Sequence, residues 1–172
     1  VFKIPICFHL HNILIIYNYL DYFTLNNSTL IIIIYTIIMK KKIRSLNASC
    51  LCKGVDIRIK GEFRPVINCH CIQCTKTHGH YAAYTSVLEE NITFKSKKTL
   101  KWFLSSSKAK RGFCKNCGAS IFFKRSGSKA ISISAGLFKN PTKLKTVSHI
   151  YTRNMRDYYK ISDNLPKYKK YT

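Results

Sequence analysis

Three cysteine groups carry the spacing that metal chemistry needs: Cys50-Leu51-Cys52, Cys69-His70-Cys71-Ile72-Gln73-Cys74, and Cys114-Lys115-Asn116-Cys117-Gly118. Only Cys7, of the eight cysteines, falls outside them. The last group has the form of a zinc knuckle: a two-residue spacer lets both thiolates face one ion, and Gly118 permits the turn that aims backbone N–H groups at sulfur. One such pair is a moderate signal, and a second pair far away in sequence makes it a strong one. Four thiolates close a tetrahedron, whereas three leave a position open for water or substrate. We therefore expect Cys50, Cys52, Cys114 and Cys117 to hold a structural zinc, and Cys69, Cys71 and Cys74 to hold a second, exchangeable one. Disulfides, a cluster of core cysteines, or iron in place of zinc stay open at this point, because thiolates alone do not choose the metal.

Histidines adjoin the triplet. His70 sits between two expected ligands, so its side chain is expected to point away from the metal and act as a supporting or core residue. His78, His80 and His149 read as packing or surface histidines, with His78 or His80 reaching the open zinc as the alternative.

The elements that must position these groups are mostly short strands. Val55 to Lys60 and Ala130 to Ser134 alternate strictly, as half-buried strands do. Tyr81 to Val87, Leu100 to Leu104, Ser120 to Arg125 and His149 to Thr152 are rich in aromatic or β-branched residues and read likewise. Gly61, Ser105 to Ser107, Ser126 to Ser128 and Asn140-Pro141 punctuate them. No long amphipathic helix is evident. The expectation is a mainly β domain.

A chain of 172 residues holds one compact domain, with room for an appendage. Its composition breaks at Met39. Residues 1–38 carry Lys3 and Asp21 as their only charged side chains, and the apolar run Leu30 to Met39 is shorter than the roughly 20 residues of a spanning helix. We read this piece as upstream sequence read through as protein, with a membrane anchor or surface helix stopped by Lys40 to Lys42, or an apolar structural extension, as the alternatives, and 39–172 as the zinc-binding domain. Without a cleavable leader of ordinary form, the cysteines point to a reducing cytoplasm. The formal charge of +23 falls to about +20 once the thiolates of two zinc sites are counted. Inflated Ile, Asn and Tyr content points to compositional bias as its source, with polyanion binding as the other explanation.

Three motifs then agree in order with a known family. Ser49 to Val55, Asn68 to Cys74 with Gly79-His80 after it, and Arg111 to Gly118 resemble the glutathione-dependent formaldehyde-activating enzyme family, which also contains centromere-protein-V-like proteins. The likeness runs on through Ile131 to Gly136, His149-Ile150 and Asp157-Tyr158-Tyr159. It implies a β-tent of antiparallel sheets built around a structural and a catalytic zinc, and a carbon–sulfur lyase activity that joins glutathione reversibly to formaldehyde as S-hydroxymethylglutathione. Residues 1–38 match nothing in it. Glutathione or its adduct is the implied partner, and Arg64, Lys76 and Arg111 lie where they could meet its carboxylates.

Two hypotheses follow. In the first the chain is a zinc-dependent lyase; in the second the zincs only build the fold, and the basic surface binds nucleic acid or another polyanion. The first needs an open metal site, and the second a basic face with salt-sensitive affinity.

Overall fold

A computed structural model describes residues 43–171. The expectations for residues 1–38, including Cys7, lie outside the described residues. Ten strands are described: β1 Arg44–Ser49, β2 Val55–Gly61, β3 Arg64–Cys69, β4 Ala82–Leu88, β5 Ile92–Lys97, β6 Leu100–Ser106, β7 Ala109–Cys114, β8 Ser120–Arg125, β9 Ala130–Ser134 and β10 Thr146–Ile150. One short helix, α1 (Ile72–His78), interrupts them between β3 and β4.

The strands make two sheets, one of three strands in the order β1-β2-β5 and one of seven in the order β10-β3-β4-β9-β8-β7-β6. The mainly β expectation is met. The sheets are not wholly antiparallel, however, because β10 runs parallel to β3. A chain segment returning from β9 by a long connection can enter beside β3 in either sense, and this one enters parallel.

The alternation read in Val55 to Lys60 puts Val55, Ile57 and Ile59 on one buried face of β2. They pack with Ile121 and Phe122 of β8 and Ile131 and Ile133 of β9, so the two sheets share one apolar core. Each of these side chains is at most 2% exposed, and burial of such a side chain stabilises by about 1.5–3 kcal/mol. Cys50 and Cys114 belong to the same cluster, which places the first cysteine group at the seam between the sheets.

The expected strand at His149 to Thr152 is displaced. It starts at Thr146 and ends at Ile150, because Tyr151 takes a left-handed conformation (φ 57°) and the chain turns into a 3-10 segment, Thr152–Asn154. β1, β3, β5 and β7 were not anticipated.

Candidate metal centres and the cleft beside them

The first centre is assembled from two hairpin loops. Cys50 and Cys52 lie in the turn joining β1 to β2, where the Cys50 N–H donates to the Val55 carbonyl at 3.0 Å and the Lys53 N–H to the Cys50 carbonyl at 3.0 Å. Cys114 ends β7, and Cys117 follows in the turn to β8. Gly118, at φ 72°, donates its N–H to the Cys114 carbonyl at 2.9 Å; a side chain there would strain the left-handed backbone. The four sulfurs lie within 4.8 Å of one another, with Cys50 to Cys52 at 3.6 Å and Cys52 to Cys114 at 3.5 Å. A tetrahedral ion with metal–sulfur bonds of about 2.3 Å holds its ligands about 3.8 Å apart, so the residues present fit a four-thiolate metal.

Hydrogen bonds to sulfur support that fit. The Val55 N–H reaches Cys50 Sγ at 3.3 Å, and the Thr99 hydroxyl lies 3.0 Å from Cys114 Sγ. Burial works to raise the Cys114 thiol, but the Thr99 hydroxyl and the N–H groups of Cys117 and Asn116 outweigh it and bring it down to about 6. A thiol poised to ionise beside three others is the chemistry of a cation site.

The second centre is local. Cys69 ends β3, Cys71 caps the N-terminus of α1, and Cys74 sits in its first turn, where its N–H donates to Cys71 Sγ at 3.4 Å. Their sulfurs also lie within 4.8 Å of one another, and among the described residues no histidine or carboxylate joins this group. The three thiols pull one another apart. Hydrogen bonds from Cys69 and Cys74, with the Cys74 N–H and the Arg111 charge, hold Cys71 at about 2. Cys69 is driven up by Cys71 and Cys74. At Cys74 the Cys69 thiol works downward, but the Cys71 thiol and burial prevail and raise it to about 11. Three adjacent thiols cannot all ionise without a cation among them, and a divalent ion removes the conflict. All seven described cysteines are free, so both clusters could hold metal ions.

Among the described residues no histidine joins either sulfur set. His70 is fully buried and turned away from the sulfurs, with Nδ1 2.5 Å from the Tyr159 hydroxyl and Nε2 2.8 Å from His149 Nδ1. His149 Nε2 then meets the Asp163 carboxylate at 2.9 Å. His149 is thus a buried member of this chain of bonds and not a surface residue. His78 does not join the triplet's donor set, because its Nδ1 is held by the Cys74 carbonyl at 3.2 Å and the Thr77 hydroxyl at 2.9 Å. His80 packs against Tyr81, Tyr158 and Tyr159 instead.

A cleft of about 260 Å³ has a lining that includes Thr77, Tyr84, Phe103, Arg111, Ser120 and Phe122, and Arg111 connects it to Cys74. Of the three basic residues singled out, Arg111 belongs to it, with Nη2 3.6 Å from Cys74 Sγ. Arg64 donates to the Tyr84 carbonyl at 2.9 Å, and Lys76 lies exposed on α1. Sequence reasoning gave no role to Tyr84, Gln73, Tyr159 or Asp163: Gln73 lies within the cysteine triplet itself, whereas the three-dimensional path of the chain brings Tyr84, Tyr159 and Asp163 to the site.

The chain is 30% identical over 93 residues to an uncharacterized lyase of Schizosaccharomyces pombe, an overlap of 53% of this chain and 66% of that protein. The chain therefore spans a little under two thirds of that relative. A crystal structure of a Rhodobacter sphaeroides protein superposes with a TM-score of 0.46 at 18% identity, covering 59% of this chain and 99% of that one. The profile of the family described as glutathione-dependent formaldehyde-activating enzyme matches residues 45–154, a span that contains both cysteine centres and the cleft, and the chain belongs to that family.

Proposed function

We propose that this chain is a zinc-dependent carbon–sulfur lyase that makes and breaks the bond between the glutathione thiol and formaldehyde or a related small aldehyde. The observation that carries this reading is the triplet of Cys69, Cys71 and Cys74, a three-sulfur set that Arg111 joins to a cleft. Family membership and a relative named as a lyase support an activity of the lyase type. Zinc bound there would offer its fourth position to a thiol and lower that thiol's pKa.

The protein's own groups do the rest. Cys69, Cys71 and Cys74 would hold the ion at the end of β3 and the start of α1, and Arg111 places its guanidinium 3.6 Å from Cys74. In the forward direction the thiolate sulfur attacks the carbonyl carbon, a C–S bond forms, and the carbonyl π pair moves to oxygen. The oxygen takes up the proton that the thiol gave up, so S-hydroxymethylglutathione is the sole product and the reverse step restores both reactants. Cys50, Cys52, Cys114 and Cys117 would hold a second zinc that ties the sheets together. Every one of these residues follows Met39, so 39–172 is the proposed working domain. Free thiols at both centres suit a reducing compartment, and the cytoplasm is the proposed location. Among the described residues no helix is long and apolar enough to cross a membrane.

The test is exchange NMR on a mixture of glutathione and formaldehyde with and without the zinc-loaded protein. Faster exchange between free and hydroxymethylated glutathione is the expected result, and an unchanged exchange rate would refute the activity.

A further inference from the structure

We propose that Arg111 is the anion-binding residue of the cleft, and that the thiol it admits is selected by a carboxylate. The inference rests on the thiol-binding reading above and adds to it the group by which the substrate is recognised. Arg111 is 7% exposed, and its guanidinium cannot lose its proton to escape burial. Among the described residues the buried side-chain polar atoms without a hydrogen-bond partner are Arg111 Nε, Arg111 Nη1 and His78 Nε2. All three belong to residues that border Tyr84 or Cys74.

What Arg111 does touch is weak. Nη2 donates to Gln73 Oε1 at 3.3 Å and to Cys74 Sγ at 3.6 Å, and the Phe123 ring lies 5.0 Å from the guanidinium carbon. A buried guanidinium is ordinarily matched by a carboxylate or phosphate that takes two of its N–H groups at once. Gln73 is exposed and holds its place by one further bond, from Nε2 to the Ser105 carbonyl at 2.9 Å. Its neutral amide oxygen is the acceptor a carboxylate would displace. Tyr84 closes the same wall, its hydroxyl beside the Arg111 guanidinium. Thr77 and Ser120 add hydroxyls to the lining, and the aromatic rings of Phe103 and Phe122 supply apolar surface for the substrate's carbon chain.

Cys74 sits at the junction of the triplet and this anion site. A thiol bound at the triplet and a carboxylate bound at Arg111 must therefore belong to one small molecule, with the two groups a few bonds apart. Glutathione meets that requirement; a neutral thiol does not.

Calorimetry on the zinc-loaded full chain separates the possibilities, using glutathione, its diethyl ester (thiol kept, carboxylates capped) and S-methylglutathione (carboxylates kept, thiol capped). The wild type should bind glutathione at least about tenfold more tightly than the ester, the size of a charge-assisted hydrogen-bond pair. Arg111→Gln should bind acid and ester equally, at the ester's level, with Arg111→Lys in between. Equal affinity of the wild type for acid and ester overturns the proposal, as does an Arg111→Gln protein that keeps the preference. That first comparison needs no variant, so it decides the matter even where Arg111→Gln fails to fold or to hold zinc. If S-methylglutathione binds as well as glutathione, the thiol reading fails, while the preference for acid over ester still judges Arg111.

Discussion

His70 Nε2 lies 2.8 Å from His149 Nδ1, and this contact ties the peptide between two triplet cysteines to the last strand. Its direction follows from the far end. The Asp163 carboxylate only accepts, so His149 Nε2 carries a proton and, in the neutral ring, Nδ1 accepts. His70 Nε2 must then donate to it, leaving His70 Nδ1 to accept from the Tyr159 hydroxyl. With a neutral His149 ring, Tyr159 to His70 to His149 to Asp163 is a one-way chain of donors.

Breaking that chain in the middle should cost more than breaking it at the end. His149→Ala leaves a buried imidazole donor unpaired and should destabilise the zinc-loaded protein by about 1–3 kcal/mol in urea unfolding. Asp163 is exposed, with its side chain 45% accessible, so Asp163→Asn should cost clearly less than His149→Ala. Equal losses would show that the two links do not differ as their burial requires.

Burial, the neighbouring His149 and His80 lower the His70 pKa from 6.5 to about 4. The folded form thus binds this proton less readily than the unfolded chain. The contribution of His70 to stability is complete above pH 6.5 and is lost as pH falls from there through about 4. Proton NMR of the His70 ring should show no titration at pH 6. A midpoint near 6.5 would mean the ring is not held neutral by its surroundings.

Gly54 approaches Thr99 so closely that an added Cβ would lie 2.4 Å from Thr99 Oγ1 and 2.6 Å from its Cγ2. Thr99 is buried and bonded to Cys114 Sγ, so it has little room to move. Gly54→Ala should cost about 1–3 kcal/mol and should speed chelator extraction of one metal equivalent from the intact protein. Unaltered extraction kinetics would separate Thr99 from the metal.

Several elements were legible in the sequence because their pattern is local. Ser120–Arg125 and Ala130–Ser134 form strands over the residues expected of them, since alternation and β-branched content report directly on a half-buried strand. β3 was hidden by Pro65 and compensates with a register irregularity between Arg64 and Ile67. β7 was hidden by Gly112, whose hydrogen faces Phe122 and Trp102 where a Cβ would meet both at about 3.0–3.2 Å. The cysteine groups were legible because ligand spacing is a short-range signal. The partners of His70, and the unpaired Nε and Nη1 of Arg111, depend on β7 and the C-terminal segment arriving from far along the chain, and no local pattern records that.

The two cysteine centres differ in what they join: Cys50 and Cys52 on the three-stranded sheet meet Cys114 and Cys117 on the seven-stranded one, whereas Cys69, Cys71 and Cys74 lie within six consecutive residues. Where a metal bridges distant elements, its binding energy is folding energy. The decisive measurement is metal content together with unfolding curves for Cys117→Ser and Cys74→Ser. Cys117→Ser should be unfolded or insoluble, and Cys74→Ser should stay folded with about one zinc fewer and no glutathione-dependent activity. Equal destabilisation of the two variants would contradict this, making both metals structural and turning attention to the basic surface as the working part of the molecule.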